Sequence, residues 1–365
     1  LSLCSCQSAK KSRGENLKLL FAGDIMAHTQ NFSMKEYSAI WDDIRELVEG
    51  ADFSFANLES PVMESRPFES YPTFNMKESY PAAAIDAGFN LISLANNHSN
   101  DQGSQGIKAT ADWSKKIAAG SAKSARPVFF SGITEEGLMS WREFYWKEFK
   151  IAFIAVTELL NTWKNYEEIN YVPPTKKGRD AFVKKIAAMK RELEPDLFIV
   201  SVHTSEEEYV LTVQESVQKF YRELLDSGAD IIVSNHPHVV RPLELVAERE
   251  TNKIRKAIIY ANGNTISGQR RALNYENPNE IWNYTGDGQL VELEMALDEK
   301  GFYALNYRKT FITAYTPRGE RSPVIKRLDE NFIRALAENG EKENSQYYQA
   351  RLDALKKIKE ILTWR

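Results

Sequence analysis

The stretch Leu17-Lys18-Leu19-Leu20-Phe21-Ala22-Gly23-Asp24 decides the fold. Its apolar run, residues 17–22, is closed by Gly23-Asp24, the pattern of a buried strand with a turn at its carboxyl end. The pattern recurs along the chain. Residues 52–56 lead into Asn57-Leu58-Glu59, and residues 89–94 lead into Ala95-Asn96-Asn97-His98. Residues 196–202 end at His203, and residues 230–234 precede Asn235-His236-Pro237-His238. Helical spacing separates these runs: in residues 34–48 the apolar positions are Tyr37, Ile40, Trp41, Ile44, Leu47 and Val48. Further helices are expected at 82–87, 104–118, 177–193, 214–227, 329–339 and 344–362. Other strands are expected at 128–131, 141–149, 150–157, 243–246, 256–261, 289–296 and 302–311. Strand and helix alternate first, with more β-structure later. The fold class is therefore α/β, with layered sheets flanked by helices. Ligands of open α/β sheets bind at the carboxyl ends of strands, where the polar motifs fall.

The chain has 365 residues, 42% of them hydrophobic, enough for a large core, and a formal net charge of -4. Nothing in that charge points to nucleic acid. No apolar stretch reaches the roughly 18 residues of a membrane-spanning helix. Both cysteines, Cys4 and Cys6, stand at the start. Leu3-Cys4-Ser5-Cys6 resembles a bacterial lipobox with Cys6 acylated, which predicts an extracytoplasmic protein held to the membrane by lipid. The expected organisation is a tether over residues 1–16, a main domain over 17–320 and a helical extension over 321–365.

All five histidines, His28, His98, His203, His236 and His238, lie in or beside these polar motifs. A closed structural zinc site usually takes four ligands, Cys-rich and locally spaced. This set is larger, thiol-free and dispersed, which favours an open catalytic site for two divalent ions. Asp24 and Glu59 supply carboxylates, and His203, His236 and His238 supply imidazoles. Asn97 supplies an amide oxygen, a hard ligand suited to Mn, Fe or Zn. His28, four residues after Asp24, is a further metal-ligand candidate. His98 beside Asn97 is free to act as general acid. The loop 61–80, with Phe68, Tyr71, Phe74 and Tyr80, reads either as the wall of a polymer groove or as a lid over apolar surface.

Gly23-Asp24-x-Met26, Asn57-Leu58-Glu59-Ser60-Pro61, Leu94-Ala95-Asn96-Asn97-His98-x-x-Asp101-x-Gly103, His236-Pro237-His238-Val239 and Tyr260-x-x-Gly263-Asn264 together resemble the bacterial CapA capsule-synthesis family, associated with poly-γ-glutamate. The resemblance spans residues 17–269. That family is similar to metallophosphatases of the calcineurin-like fold. The resemblance implies that Asp24 and His238 serve one metal, that Glu59 bridges, and that Asn97, His203 and His236 serve the second. It implies His98 as the acid and sets Asp101 with it among the catalytic residues. The chain departs from the pattern in places. Asp24 and His28 are four apart where metallophosphatases have Asp-x-His. The block after the lone histidine reads His203-Thr204-Ser205-Glu206-Glu207-Glu208-Tyr209, one residue longer than His-Trp-Gly-x-Glu-Tyr and without its Gly. Ser234 replaces a usual Gly, and Thr265 a usual Phe. Arg241 stands where Gln is usual; it reads either as a phosphate clamp, since guanidinium binds such oxygens bidentately, or as a plain surface arginine.

Three functions fit these residues. The first is a lipid-anchored two-metal hydrolase of phosphoester bonds. The second is a non-catalytic module that binds an anionic surface polymer. The third is an amide hydrolase, because metal sites of this kind also attack carbonyls.

Overall fold

The computed structural model describes residues 16–364. The tether with Cys4 and Cys6, and the acylation expected there, lie outside the described residues. The strands are β1 (Leu17–Ile25), β2 (Phe53–Leu58), β3 (Leu91–Ser93), β4 (Phe129–Ser131), β5 (Arg142–Trp146), β6 (Phe149–Thr157) and β7 (Leu197–His203). They continue with β8 (Ile231–Asn235), β9 (Leu243–Ala247), β10 (Ile254–Ile259), β11 (Asn264–Ile266), β12 (Asp287–Asp298), β13 (Gly301–Tyr315), β14 (Val324–Arg327) and β15 (Ile361–Trp364).

The sheet order is β4-β3-β2-β1-β12-β13-β10-β8-β7-β6-β5. It contains two parallel halves. In one, β1, β2, β3 and β4 run parallel. In the other, β6, β7, β8 and β10 run parallel. The long antiparallel pair β12–β13 joins them. Strand alternation sends the side chains of each half into two cores. Leu19, Phe21, Phe53 and Phe55 share one core with Ile151, Phe153, Ile199 and Ile231 of the other half. Phe55 and Phe153 meet there with ring centroids 6.1–6.2 Å from their nearest aromatic neighbours, the pair itself at 6.2 Å. On the opposite face of the first half, Leu20, Ala22, Ala56 and Ile92 pack with Trp41, Tyr80 and Trp113 from the helical layer. The second half does the same with Ile154, Val156, Val200 and Val202 against Phe182, Ile186, Phe220 and Leu224. Burial on both faces explains why these strands read as continuous apolar runs.

Several elements differ from expectation. Residues 34–48 form a 3-10 turn, Tyr37–Ile40, and a short helix, Arg45–Glu49, rather than one helix. Asp43 between them accepts a hydrogen bond from the Arg327 backbone N–H at 2.6 Å, which ties this stretch to β14. The last expected helix stops at Lys356, and residues 361–364 become β15, parallel to β9. The short strands β11 and β14 carry too few residues for a period to show. No helix among the described residues is long and apolar enough to cross a membrane.

Gly23 permits the closest approach at the end of β1. A Cβ there would stand 1.9 Å from the Gly263 carbonyl oxygen, so only glycine fits. Gly120, in the last turn of the helix Gly103–Ser121, has open space around it. We expect Gly23→Ala to destabilise by at least about 1–3 kcal/mol through overpacking. Gly120→Ala should instead be stabilising by about 0.4–1 kcal/mol. Urea unfolding of the two variants checks the contrast; equal effects would remove the steric argument.

Candidate metal centre

The carboxyl ends of β1, β2, β3, β7 and β8 meet where the two halves join. Asp24 is on β1, with Asn57 of β2 and Asn264 of β11 as its neighbours across the strands. Asn57 donates through Nδ2 to Asp24 Oδ1 at 2.8 Å and to Glu59 Oε2 at 3.2 Å. This amide therefore sets the spacing of the two carboxylates. Glu59 Oε1 lies 3.6 Å from His238 Nε2 and 3.9 Å from His203 Nε2, placing it between the two imidazoles. Asp24 Oδ2 lies 3.2 Å from His238 Nδ1. Asn97 Oδ1 is 2.9 Å from His203 Nε2, and the His203 and His236 ring centroids are 4.9 Å apart. Ligand atoms of Asp24, Glu59 and His238 all lie within 4.8 Å of one another, as do those of Glu59, His203 and His236. Asp24, Glu59, Asn97, His203, His236 and His238 thus share one buried site.

The local backbone is specialised. His236 and His238 have φ of 104° and 54°, values that side chains other than glycine rarely adopt. Such strain persists where surroundings over-determine it and gathers at functional sites. Here the His236 N–H reaches Asp24 Oδ2 at 3.4 Å, and the Pro237 carbonyl accepts from the Tyr209 N–H at 2.9 Å.

The electrostatics suit a cation. Burial, and then neighbouring imidazoles, push the pKa values of His203 and His236 well down, so both are neutral, the form that binds metal. Burial, followed by Asp24 and Glu208, pushes Glu59 well up. Burial opposes protonation of His238, but the adjacent Asp24 carboxylate outweighs it and the pKa rises. Glu59 Oε1 and His236 Nδ1 are buried without a hydrogen-bond partner. Unpaired buried polar atoms are costly, and a divalent ion satisfies both. Carboxylate, imidazole and amide oxygen together make a donor set that suits a divalent ion.

His98 and Asp101 stand beside this cluster. His98 Nδ1 is 2.7 Å from Asp101 Oδ2, and the same oxygen accepts from the Phe74 N–H at 2.7 Å. The Phe74 ring packs edge-on to His98 at 4.7 Å and to His28 at 5.0 Å. His28 belongs to none of the three metal-type groups found among the described residues. Its Nδ1 accepts from the Gly268 N–H at 3.1 Å, and burial first, then His238, lowers its pKa to about 3. Of the aromatic residues in the 61–80 loop, Phe68 packs against Phe32 and Tyr37, Phe74 and Tyr80 are buried, and Tyr71 is exposed. That loop is mostly a cover.

Arg241 is not a surface residue, and its Nη2 is buried with no hydrogen-bond partner among the described residues. It is buried, its Nη1 pairs with Glu206, and its Nε donates to the Val210 carbonyl at 2.8 Å. Through these contacts Arg241 fastens the loop 206–210. Three residues at the site lacked an assigned role in the sequence reading. Asn57 and Asn264 lie inside the quoted motifs; Asn264 Oδ1 is 3.0 Å from His238 Nδ1. Glu208 forms a third group with His236 and His238. The Glu-Tyr ending of its block was the available signal.

The model of the bacterial capsule synthesis protein PGA_cap family matches residues 18–269, and the chain belongs to that family. It is 24% identical over 345 residues to the capsule biosynthesis protein CapA of Bacillus anthracis, covering 89% of this chain and 73% of that protein. It is 23% identical over 297 residues to the PGA biosynthesis protein CapA of Bacillus subtilis, covering 78% and 69%. Among solved structures, the calcineurin-like phosphoesterase YfkN of Bacillus subtilis is similar with a TM-score of 0.47 and 12% identity, covering 94% of this chain and 99% of that one. A Staphylococcus aureus protein described as a 5'-nucleotidase gives 0.45 and 15%, covering 93% and 58%. Likenesses of that extent say nothing about chemistry.

Removing one partner of a buried ion pair typically costs about 3–5 kcal/mol. Arg241→Ala is expected to lose stability of that order because Glu206 stays buried. Chemical denaturation checks it; an unchanged midpoint with only a raised KM would return Arg241 to the role of substrate clamp.

Proposed function

We propose that this chain is an extracytoplasmic hydrolase of capsule or surface-polymer metabolism that uses two divalent ions, Mn, Fe or Zn, to cleave phosphoester bonds. The observation that carries the reading is the position of Glu59 Oε1, within 4 Å of both His238 Nε2 and His203 Nε2. In this reading Asp24 and His238 hold one ion, Asn97, His203 and His236 hold the other, and Glu59 is shared. Bound ions of this kind supply charge stabilisation at a phosphoryl or carbonyl centre and lower the pKa of water.

The protein's own residues do the rest. Asp101 accepts from His98 Nδ1 and fixes the ring, so that Nε2 is the atom left to deliver a proton to the leaving oxygen. Phe74 and the cover loop keep water from one side of His98. Asn57 holds Asp24 and Glu59 at fixed spacing. Cys6 carries the lipid that keeps the domain at the membrane, and mass spectrometry of protein from native membranes tests this; an unmodified Cys6 would overturn it.

A second reading, binding of an anionic polymer without cleavage, has its own support. Tyr209 packs 4.7 Å from Trp282 and 6.2 Å from His238, and Trp282 is exposed beside the site. An aromatic step next to a cation centre suits a chain-like ligand. Cleavage of an amide link is the remaining alternative for the same centre.

Metal analysis of the purified chain, then phosphodiester, phosphomonoester and peptide substrates with added Mn, separates these readings. His98→Ala should lower kcat about 10²–10⁴-fold with metal content nearly unchanged, and nitrophenyl leaving groups should partly restore the rate. His236→Ala should lose metal instead. Equal metal loss in both variants would make His98 a ligand; bound metal without turnover on any substrate would leave polymer binding as the function.

A further inference from the structure

The two-ion scheme gives the Glu208 carboxylate, which meets the Tyr209 hydroxyl, no part in holding metal. Yet a Glu208 oxygen lies within 4.8 Å of a nitrogen of His236 and a nitrogen of His238. His236 and His238 are 2% and 1% exposed, whereas Glu208 is only half-buried. Glu208 therefore approaches the centre from its solvent side. The same imidazole carries the orphan Nδ1, which has no hydrogen-bond partner within 3.5 Å although the Glu206 backbone is its neighbour, so the ring Glu208 approaches is one with unused ligating capacity.

The loop that presents Glu208 is built to hold it. Arg241 fastens it at both ends, through Glu206 and through the Val210 carbonyl. Glu206 Oε1 also accepts from the Gln214 N–H at 2.7 Å, locking the loop to the next helix, Glu215–Asp226. Tyr209 adopts a φ of 62°, and its N–H is bound to Pro237 between the two histidines. A bulky residue in that conformation needs support, and the loop has it. The neighbouring Glu207 is exposed and belongs to none of the metal-type groups.

We propose that Glu208 is an additional metal-ligating carboxylate that closes the centre from the solvent side and disfavours dianionic ligands there. The inference rests on the two-ion reading above. Its consequence is a substrate class. A third carboxylate at the open side repels a phosphomonoester dianion more than a phosphodiester monoanion or a neutral amide, because like charges brought together in a desolvated site are unfavourable. The scissile group is then an internal link of a polymer rather than a terminal phosphate.

The test uses the full chain, stripped of metal and titrated with Mn, and does not depend on turnover. Glu208→Gln should weaken Mn binding by calorimetry about tenfold or more, while Glu207→Gln should leave it unchanged; a tenfold change corresponds to about 1.4 kcal/mol. The rise in Tm on adding Mn should shrink in parallel. If Glu208→Gln perturbs folding of the metal-free chain, Glu208→Asp keeps the charge but shortens the reach and should show the same loss. At saturating Mn, inorganic phosphate should bind Glu208→Gln about tenfold more tightly than the unaltered chain. Unchanged Mn affinity in the Glu208 variants, with His236→Ala losing metal, would overturn this inference and leave the centre intact. Unchanged Mn affinity in His236→Ala would overturn the centre itself. Equal phosphate affinity in the two proteins would overturn the substrate class.

Discussion

Glu59 is fully buried at the seam where two parallel half-sheets end, and the arrangement of the site follows from holding that carboxylate. Burial first, and then Asp24 and Glu208, drive it toward the protonated form. Its Oε2 is held by the Asn57 amide, but Oε1 has imidazoles on two sides and no hydrogen-bond donor. Neither half can make such a place by itself. The first half brings Asp24, Asn57, Glu59 and Asn97; the second brings His203, His236 and His238. The β12–β13 pair and the shared core between the halves set the distance at which these groups meet. The close contact of Gly23 with Gly263 and the left-handed His236 and His238 are consequences of fitting so many strand ends into one volume.

The strands of the two halves were legible because strands buried on both faces lack an alternating pattern and appear as short unbroken apolar runs. The site was legible for the same reason: each polar motif follows such a run, and parallel strands bring their carboxyl ends together. Residues 34–48 kept their helical spacing in contacts with the core, yet the backbone broke at Asp42-Asp43, where Asp43 is drawn to β14. A residue list does not show that competition. Residues 361–362 were read as the end of a helix because a four-residue strand is too short for its period to show against the helix before it.

Arg241 shows a different limit. Its residue type favours an oxoanion partner, and the partner proved to be the carboxylate of Glu206, 35 positions earlier in the chain. Residue type gave the chemistry correctly but not the direction in which the side chain turns. Glu206, Glu207 and Glu208 make the same point from the other side. Three consecutive glutamates are equivalent on paper. In the fold one is buried against Arg241, one faces solvent, and one reaches the histidines. Tyr209, next in the chain, has a φ of 62°, a value not foreseeable for tyrosine.

The C-terminal segment also bears on the site, though it lies far from it in sequence. Asp287 at the start of β12 is buried and accepts from Arg270 Nη1 at 2.9 Å and from Arg351 Nε at 2.8 Å. Arg351 belongs to the helix Lys342–Lys356 and also lies 3.7 Å over the Tyr284 ring. Two guanidinium groups on one carboxylate leave an excess of positive charge, which the faces of Tyr284, Tyr347 and Tyr348 offset through their quadrupoles. Arg270 is adjacent to Gln269, whose Oε1 accepts from Asn264 Nδ2 at 2.7 Å, and Asn264 Oδ1 faces His238 Nδ1. The helix therefore grips the loop that orients a metal-type histidine. An imidazole's useful nitrogen is decided by what its other nitrogen meets. At His238, Nδ1 meets Asp24 and Asn264 together, so Nε2 is the nitrogen turned to Glu59. Asn264 keeps that orientation only while its own amide is held by Gln269 and by the Thr285 carbonyl at 2.8 Å. Both holders sit in the 264–285 stretch, which Asp287 ties to the C-terminal helix by accepting from Arg270 and Arg351 together.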